Sequence, residues 1–372
     1  MAPASPPRTL GFAELFALAL NGIVGVGIFF APAAIAERCG SALVPAAFAW
    51  AALAFAPSVL VYARLAELLP HDGGPAAHAR RAFGDRAGFV VGAVGLCAAF
   101  ASTAAVLRAL GETLAPGGPR FASLGLLVGF ALVVARGLRL SARTWTLLTA
   151  LKIAALVAVL VAVHGARSAP AVPFGPTLAW PGFGGVLLAA FCFQGFEVTA
   201  LLAGQGRVAR PMVAAFLVAA WLYGLVVARG AVSATSGWSG HVVTLSSLGI
   251  AFAMVAMTPR YVIAMHGAAG ERRALLATVV LVGALVLAGA RAELFEIATL
   301  AVVVQYAASA LALVKLRARR ADAVVSCGAL ATSAVLASAA TLREAAVFVA
   351  VLFAAGALSR TVTGKSPTRH VP

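Results

Sequence analysis

The sequence predicts an all-α, polytopic membrane protein of about twelve transmembrane helices, and three observations carry that expectation. Its 372 residues are 62% apolar and only 11% charged, against roughly 25% Asp, Glu, Lys and Arg in an ordinary soluble domain. Apolar residues fill nearly every window of about 20, the helix length that crosses a hydrocarbon layer of about 30 Å. The 28 Lys and Arg stand against 12 Asp and Glu, for a net charge of +16, and they fall mostly between the apolar runs. Basic residues so placed set orientation in a bilayer and do not point to nucleic acid.

Cutting the chain where charges or Pro/Gly clusters interrupt it gives spans at about 12–36, 41–66, 88–112, 121–135, 143–164, 182–203, 212–229, 241–265, 274–290, 294–314, 322–340 and 344–358. Only Arg8 precedes the first run and no small-residue cleavage site follows it. That run therefore reads as a retained span and not as a removed signal peptide. With the N-terminus in the cytoplasm, eighteen Lys and Arg lie in cytoplasmic segments and six in the opposite loops, while Arg64, Arg108, Lys152 and Arg260 fall within spans or at their ends. This alternation predicts a multi-pass protein of the cytoplasmic membrane with both termini inside. No polar stretch is long enough for a separate domain, so residues 1–372 form one transmembrane unit. The first span is interrupted at Gly22, Gly25 and Gly27 and the sixth at Gln194 and Gly195. Two broken spans five helices apart suit a five-plus-five inverted repeat, with halves at about 10–165 and 180–320 and peripheral helices at about 321–358.

Three places in the spans can carry chemistry. Gly25 to Gly27, with Pro32 beyond, weaken the first helix in mid-membrane, where broken backbone is tolerated only inside protein or along a water-filled cavity. N–H groups freed at a half-helix start can hold a carboxylate; the alternative is a close helix crossing, of the kind Gly88 and Gly92 suggest in the third span. Lys152 stands alone in the apolar fifth span, nine residues past Arg143, or about 13 Å deeper along a helix. At that depth an ionisable side chain is functional by default, unless it snorkels to the cytoplasmic surface. Glu197 is the one carboxylate within the sixth span. It can exchange a proton or serve as a structural hydrogen-bond acceptor. Arg64 and Glu67, three residues apart, form a surface pair. Phe191, Phe193 and Phe196 read as packing residues. Cys39, Cys97, Cys192 and Cys327 are too scattered for a metal site or a disulfide framework.

These stretches resemble those of the amino acid/polyamine/organocation transporters, the amino acid permeases. Gly25 to Phe29 (Gly-Val-Gly-Ile-Phe) with Pro32 is similar to the family's GxGIFxxP. Tyr62 to Pro70, then Gly73-Gly74-Pro75, then Ala82-Phe83-Gly84, follow its YAELxxxxP, GGxY and AFG series in order and spacing. Phe191 to Glu197 resembles the sixth-span FAFxGFE, Pro259-Arg260-Tyr261 with Ala264-Met265 the eighth-span SRxxxAM, and Gln305-Tyr306 with Lys315-Leu316-Arg317 the tenth. The resemblance implies an inverted-repeat fold that works by alternating access. It implies an amino acid carboxylate on backbone N–H groups near Gly25, Val26 and Gly27, and its ammonium on carbonyls around Phe191, Cys192 and Gln194. Lys152, where many members carry a lysine, takes the place of a sodium ion in sodium-coupled relatives, so the resemblance implies coupling to protons or to exchange, with Glu197 as a proton-sensitive carboxylate. The chain departs from the family after the sixth span, where Gly204-Gln205-Gly206 replaces a carboxylate pair, and after Gly73-Gly74, where Ala76 and His78 replace tyrosines.

The sequence thus predicts a secondary transporter of amino acids with small aliphatic or otherwise neutral side chains. It is expected to need no cofactor or metal and no nucleic acid, only its substrate, protons and the lipid bilayer. A membrane-bound amino acid sensor, or a paralogue that binds without transporting, is the alternative. An enzyme is disfavoured, because no intramembrane His/Asp, Ser/His or metal-ligand cluster is present in the sequence.

Overall fold

The computed structural model describes residues 10–25, 27–165, 180–228, 238–266, 270–288, 291–316 and 319–338, with isolated positions beyond. Among them every regular element is helical. In hydrocarbon a helix satisfies its backbone within one segment, and that constraint follows directly from the apolar composition. The order is α1 (Phe12–Ile23), α2 (Gly27–Cys39), α3 (Val44–Leu68), α4 (Gly74–Phe83), α5 (Asp85–Leu114), α6 (Pro119–Val134), α7 (Leu138–Gly165), α8 (Gly182–Phe191), α9 (Ala209–Ala228), α10 (Trp238–His266), α11 (Glu271–Ala288), α12 (Arg291–Leu316) and α13 (Arg320–Ala337). A 3₁₀ turn covers Ser41–Leu43 and a longer 3₁₀ segment Phe196–Leu202.

Among the described residues seven helices are long and apolar enough to cross a membrane, namely α3, α5, α7, α9, α10, α12 and α13. α1 and α6 are shorter apolar helices. The first and sixth stretches each fold as two pieces, α1 with α2 and α8 with the 3₁₀ segment, so neither yields one long helix. The last expected stretch, 344–358, lies almost wholly outside the described residues. Most charged residues lie at helix ends and in connections, Lys152 in the middle of α7 being an exception, and the protein is a multi-pass membrane protein.

Among the described residues α4 is the one short polar helix. It begins at Gly73-Gly74, ends at Gly84, and carries Arg80 and Arg81 in its last turn. It packs on the first turns of α5, where a Cβ on Gly88 would stand 2.5 Å from the Arg80 Cβ and one on Gly92 would stand 2.7 Å from the Met265 side chain. The small-residue pair expected in this span is therefore a packing device, with α4 and α10 as its neighbours.

The largest core cluster joins α1, α2, α3, α8, α9 and α12. Its aromatic centre is Phe193, set against Phe48, Phe55, Phe216 and Tyr223. The contacts with Phe48 and Tyr223 are edge-to-face, and such pairs add about 0.5 to 1.5 kcal/mol beyond area burial. α13 lies against α3: the Thr332 hydroxyl donates to the Ala54 carbonyl at 2.7 Å, and Gly328 lets Pro57 approach. Arg64 pairs with Glu67 at 3.0 Å as expected, and also reaches Asp322 of α13 at 3.4 Å.

Candidate functional site

α7 holds α1 through one face. The Trp145 indole N–H donates to the Glu14 carbonyl at 3.0 Å and the Thr149 hydroxyl to the Ala17 carbonyl at 3.1 Å. The Lys152 ammonium donates to the Asn21 carbonyl at 3.2 Å and the Val24 carbonyl at 2.6 Å. Residues 145, 149 and 152 are spaced by four and three, so they line one side of a helix. Each reaches about one turn further along α1. Lys152 arrives at the last turn, where helix carbonyls lose their intrahelical partners and the helix dipole is negative. It is 1% exposed, so its charge does not snorkel to the surface. The ammonium caps the broken helix from inside the protein.

Asn21, in the same last turn, donates from Nδ2 to the Gly249 carbonyl of α10 at 2.7 Å. On the other side of the break, the Tyr223 hydroxyl of α9 stands 2.6 Å from the Ile23 carbonyl and 3.0 Å from the Cys192 carbonyl. One tyrosine thus spans the carbonyl ends of both half-helices, α1 and α8. The chain has only four tyrosines, and Tyr62, Tyr223, Tyr261 and Tyr306 are all buried in helices. A buried phenol needs a hydrogen-bond partner, and that scarcity is the signal by which Tyr223 could have been singled out from the sequence.

The two breaks touch. A Cβ on Gly22 would stand 2.5 Å from the Gly195 carbonyl oxygen, and one on Gly195 would collide with the Gly22 carbonyl oxygen. Gly195 also has φ +107°, a conformation that favours glycine. After α8 the chain unwinds through Cys192 to Gly195 and resumes as the 3₁₀ segment, with Glu197 in its first turn. One Glu197 oxygen, Oε2, accepts from the Gly195 N–H at 2.9 Å and from the Tyr306 hydroxyl of α12 at 2.7 Å. Tyr306 is stacked on Phe196, with centroids 5.3 Å apart, and Tyr62 meets both rings edge-on.

Beside this crossing lies a cavity of about 140 Å³, walled by α1, α5, the α8 break, α10 and α12. It is smaller than the roughly 300 to 1,000 Å³ of drug-sized ligand sites and suits a small solute. Gly25, Cys192, Gln194 and Glu197 line it, four of the eight residues expected at the site. The Gln194 Nε2 has no hydrogen-bond partner. Gly27 opens α2, and among the described residues Lys152 does not line the cavity. Val26 lies outside the described residues, as does the side chain of Phe191. Lys152 and Glu197 are not brought together, and among the described residues neither enters a salt bridge. The far wall, which the sequence did not reveal, mixes Ser102, Thr103, Thr258 and Thr299 with Met254, Met257 and Val302. Thr103 and Thr258 are hydrogen-bonded across it at 3.2 Å.

Near the end of the 3₁₀ segment, Asp72, from the α3–α4 connection, accepts from the Gly204 N–H and the Gln205 side-chain amide, both at 2.9 Å. The Leu10 N–H donates to the Gln205 carbonyl at 2.6 Å. The glycine-rich replacement after the sixth span is thereby tied to a carboxylate from another connection and to the start of α1. His78 of α4 is buried edge-on against Tyr62. Desolvation, and then the charge of His71, push its pKa down to about 3.

Comparison with known proteins places this arrangement in context. Residues 10–290 match the amino acid permease family. Uncharacterized transporters of Mycobacterium bovis and of Mycobacterium tuberculosis are each 29% identical to the chain over 162 residues. That match covers 44% of this chain and 37% of each relative, so the similarity spans less than half the length of the curated relatives.

Proposed function

The chain belongs to the amino acid permease family, and from that premise we propose that it is a secondary active transporter of amino acids, working by alternating access in the cytoplasmic membrane. One observation carries the reading: two broken helices cross at Gly22 and Gly195 beside a small cavity. Half-helix ends turned toward one small enclosed space offer donors for a carboxylate and acceptors for an ammonium. In this reading the carboxylate lies at the start of α2 near Gly25, Val26 and Gly27. The ammonium lies at the end of α8 near Phe191, Cys192 and Gln194. The Cys192 carbonyl already accepts from Tyr223, but a carbonyl has a second lone pair to offer.

Lys152 would keep the end of α1 closed without a metal ion, because its ammonium already supplies the positive charge there. Coupling would then run through protons or exchange, with Glu197, which faces the cavity, as the group that senses it. Among the described residues no lysine, arginine or histidine lines the cavity and Glu197 is its one carboxylate, which favours substrates with uncharged side chains. The remaining architecture is read as twelve spans in one unit over residues 1–372. Two inverted halves fall at about 10–165 and 180–320, with both termini cytoplasmic. The decisive experiment is uptake of radiolabelled amino acids into proteoliposomes with and without a pH gradient. Accumulation of at least one neutral amino acid is expected. Binding by the purified protein with no uptake under any gradient would instead make it a membrane sensor.

A further inference from the structure

A second cavity, of about 130 Å³, opens where α6, α7, α10 and α11 end together. By the distribution of Lys and Arg this is the cytoplasmic side. Arg260, Arg272, Glu271 and Ser141 are among the residues of its wall, with Gly137 in the α6–α7 turn. Arg260 pairs with Glu271 at 3.0 Å, and the Ser141 hydroxyl is committed to the Gly137 carbonyl at 3.1 Å. Gly137 has φ +108° with nothing within 4 Å of where its Cβ would be, so the turn leaves the cavity open on that side. The formal charges of the lining residues do not cancel, with two arginines to one glutamate, and the amino end of α11 adds its own partial positive charge. One singly charged anion completes the balance.

We propose that this cavity binds the phosphodiester headgroup of an anionic phospholipid, held by Arg272 and by the Arg260 guanidinium that pairs with Glu271. A lipid fits better than a free anion because of what adjoins the cavity. α6 and α11 pack on each other and present large apolar side chains outward, Val128 and Leu132 on one, Leu276 and Val280 on the other, each about half exposed or more. Acyl chains laid on that surface put the headgroup at the depth of the two arginines. Basic pockets between helix ends on the cytoplasmic face recognise anionic headgroups in this way. The inference requires only that the chain lies in a bilayer; it is independent of whether the chain transports amino acids.

The test is native mass spectrometry of the full chain in an equimolar mixture of phosphatidylglycerol and phosphatidylcholine. Selective retention of phosphatidylglycerol is expected. Arg272→Gln should cut that selectivity about fivefold, the effect of one basic charge near the membrane surface, and Arg260→Gln with Arg272→Gln should abolish it. Arg120→Gln, on an exposed residue at the other end of α6, should leave it unchanged. If the double variant fails to fold because Glu271 loses its partner, Arg272→Gln decides alone, since Arg272 is exposed. Unchanged selectivity in folded Arg272→Gln would overturn the site. Release of the lipid by millimolar inorganic phosphate would overturn the lipid assignment in favour of a free anion.

Discussion

Replacing Gly195 with alanine tests the contact on which the site depends. The new methyl group would be driven against the Gly22 carbonyl oxygen, and overpacking of a tight contact costs about 1 to 3 kcal/mol. The backbone at φ +107° adds about 1 to 3 kcal/mol for any residue with a Cβ. Together the substitution should destabilise the protein by about 2 to 6 kcal/mol. At about 2 °C per kcal/mol, the low end for large domains, the melting temperature in detergent should fall by about 4 to 12 °C. Gly22 is helical, so Gly22→Ala meets only the packing cost and should fall about 2 to 6 °C. Both methyl groups fill the same gap, so the double variant should lose less than the sum of the two. Gly224 of α9 has nothing within 4 Å of its would-be Cβ. Gly224→Ala should therefore melt at or slightly above the parent, since alanine is the better helix former. If Gly195→Ala melts with Gly224→Ala, the two broken helices do not cross as described.

Lys152→Met removes the donor to the Asn21 and Val24 carbonyls. A hydrogen bond from a charged group contributes about 1.5 to 3 kcal/mol, so uptake should drop at least about tenfold; near-parental uptake with an unaltered pH profile would count against the capping role. Glu197→Gln can still accept from Gly195 and Tyr306, so its melting temperature should stay within about 2 °C of the parent, while the pH dependence of uptake flattens. An unchanged profile would remove Glu197 from coupling. His78 stays neutral in the folded protein down to about pH 3, whereas in the unfolded chain it takes up a proton near pH 6.5. Its contribution is therefore intact above pH 6.5 and lost as pH falls toward 3; at pH 5 the loss is about 2 kcal/mol. His78→Phe should flatten the fall in melting temperature between pH 7 and pH 5, and an equally steep fall in the variant would assign the acid sensitivity to other groups.

Spans and breaks could be read in advance because their causes are local. Apolar runs, basic connections and clustered glycines act within about 20 residues, and the observed α3, α5, α9, α10 and α12 contain or overlap the stretches marked at 41–66, 88–112, 212–229, 241–265 and 294–314. The isolation of Lys152 and Glu197 was equally local. Their partners were not legible. Both charges invited the expectation of chemistry, yet the groups they meet are backbone carbonyls of α1 for Lys152, and a backbone N–H and a tyrosine for Glu197. Tyr223 is marked only by the scarcity of tyrosine in the chain, and nothing within its own helix tells which carbonyls it meets.

Hydropathy patterning loses its power inside a bilayer. A soluble helix shows which face it buries by contrast with its polar face, but lipid tails and protein core are equally apolar, so a spanning helix carries little such mark. The sequence alone therefore determined that the chain is a helical membrane protein, where two helices are broken, and that Lys152 and Glu197 lie inside it. Only the tertiary structure decided that Gly22 meets Gly195, that α7 grips α1 along residues 145, 149 and 152, and that the threonines and methionines of α5 and α10 complete the cavity. Those contacts join segments more than a hundred residues apart, and which faces meet is fixed by packing of small residues and interhelical hydrogen bonds that no single segment encodes.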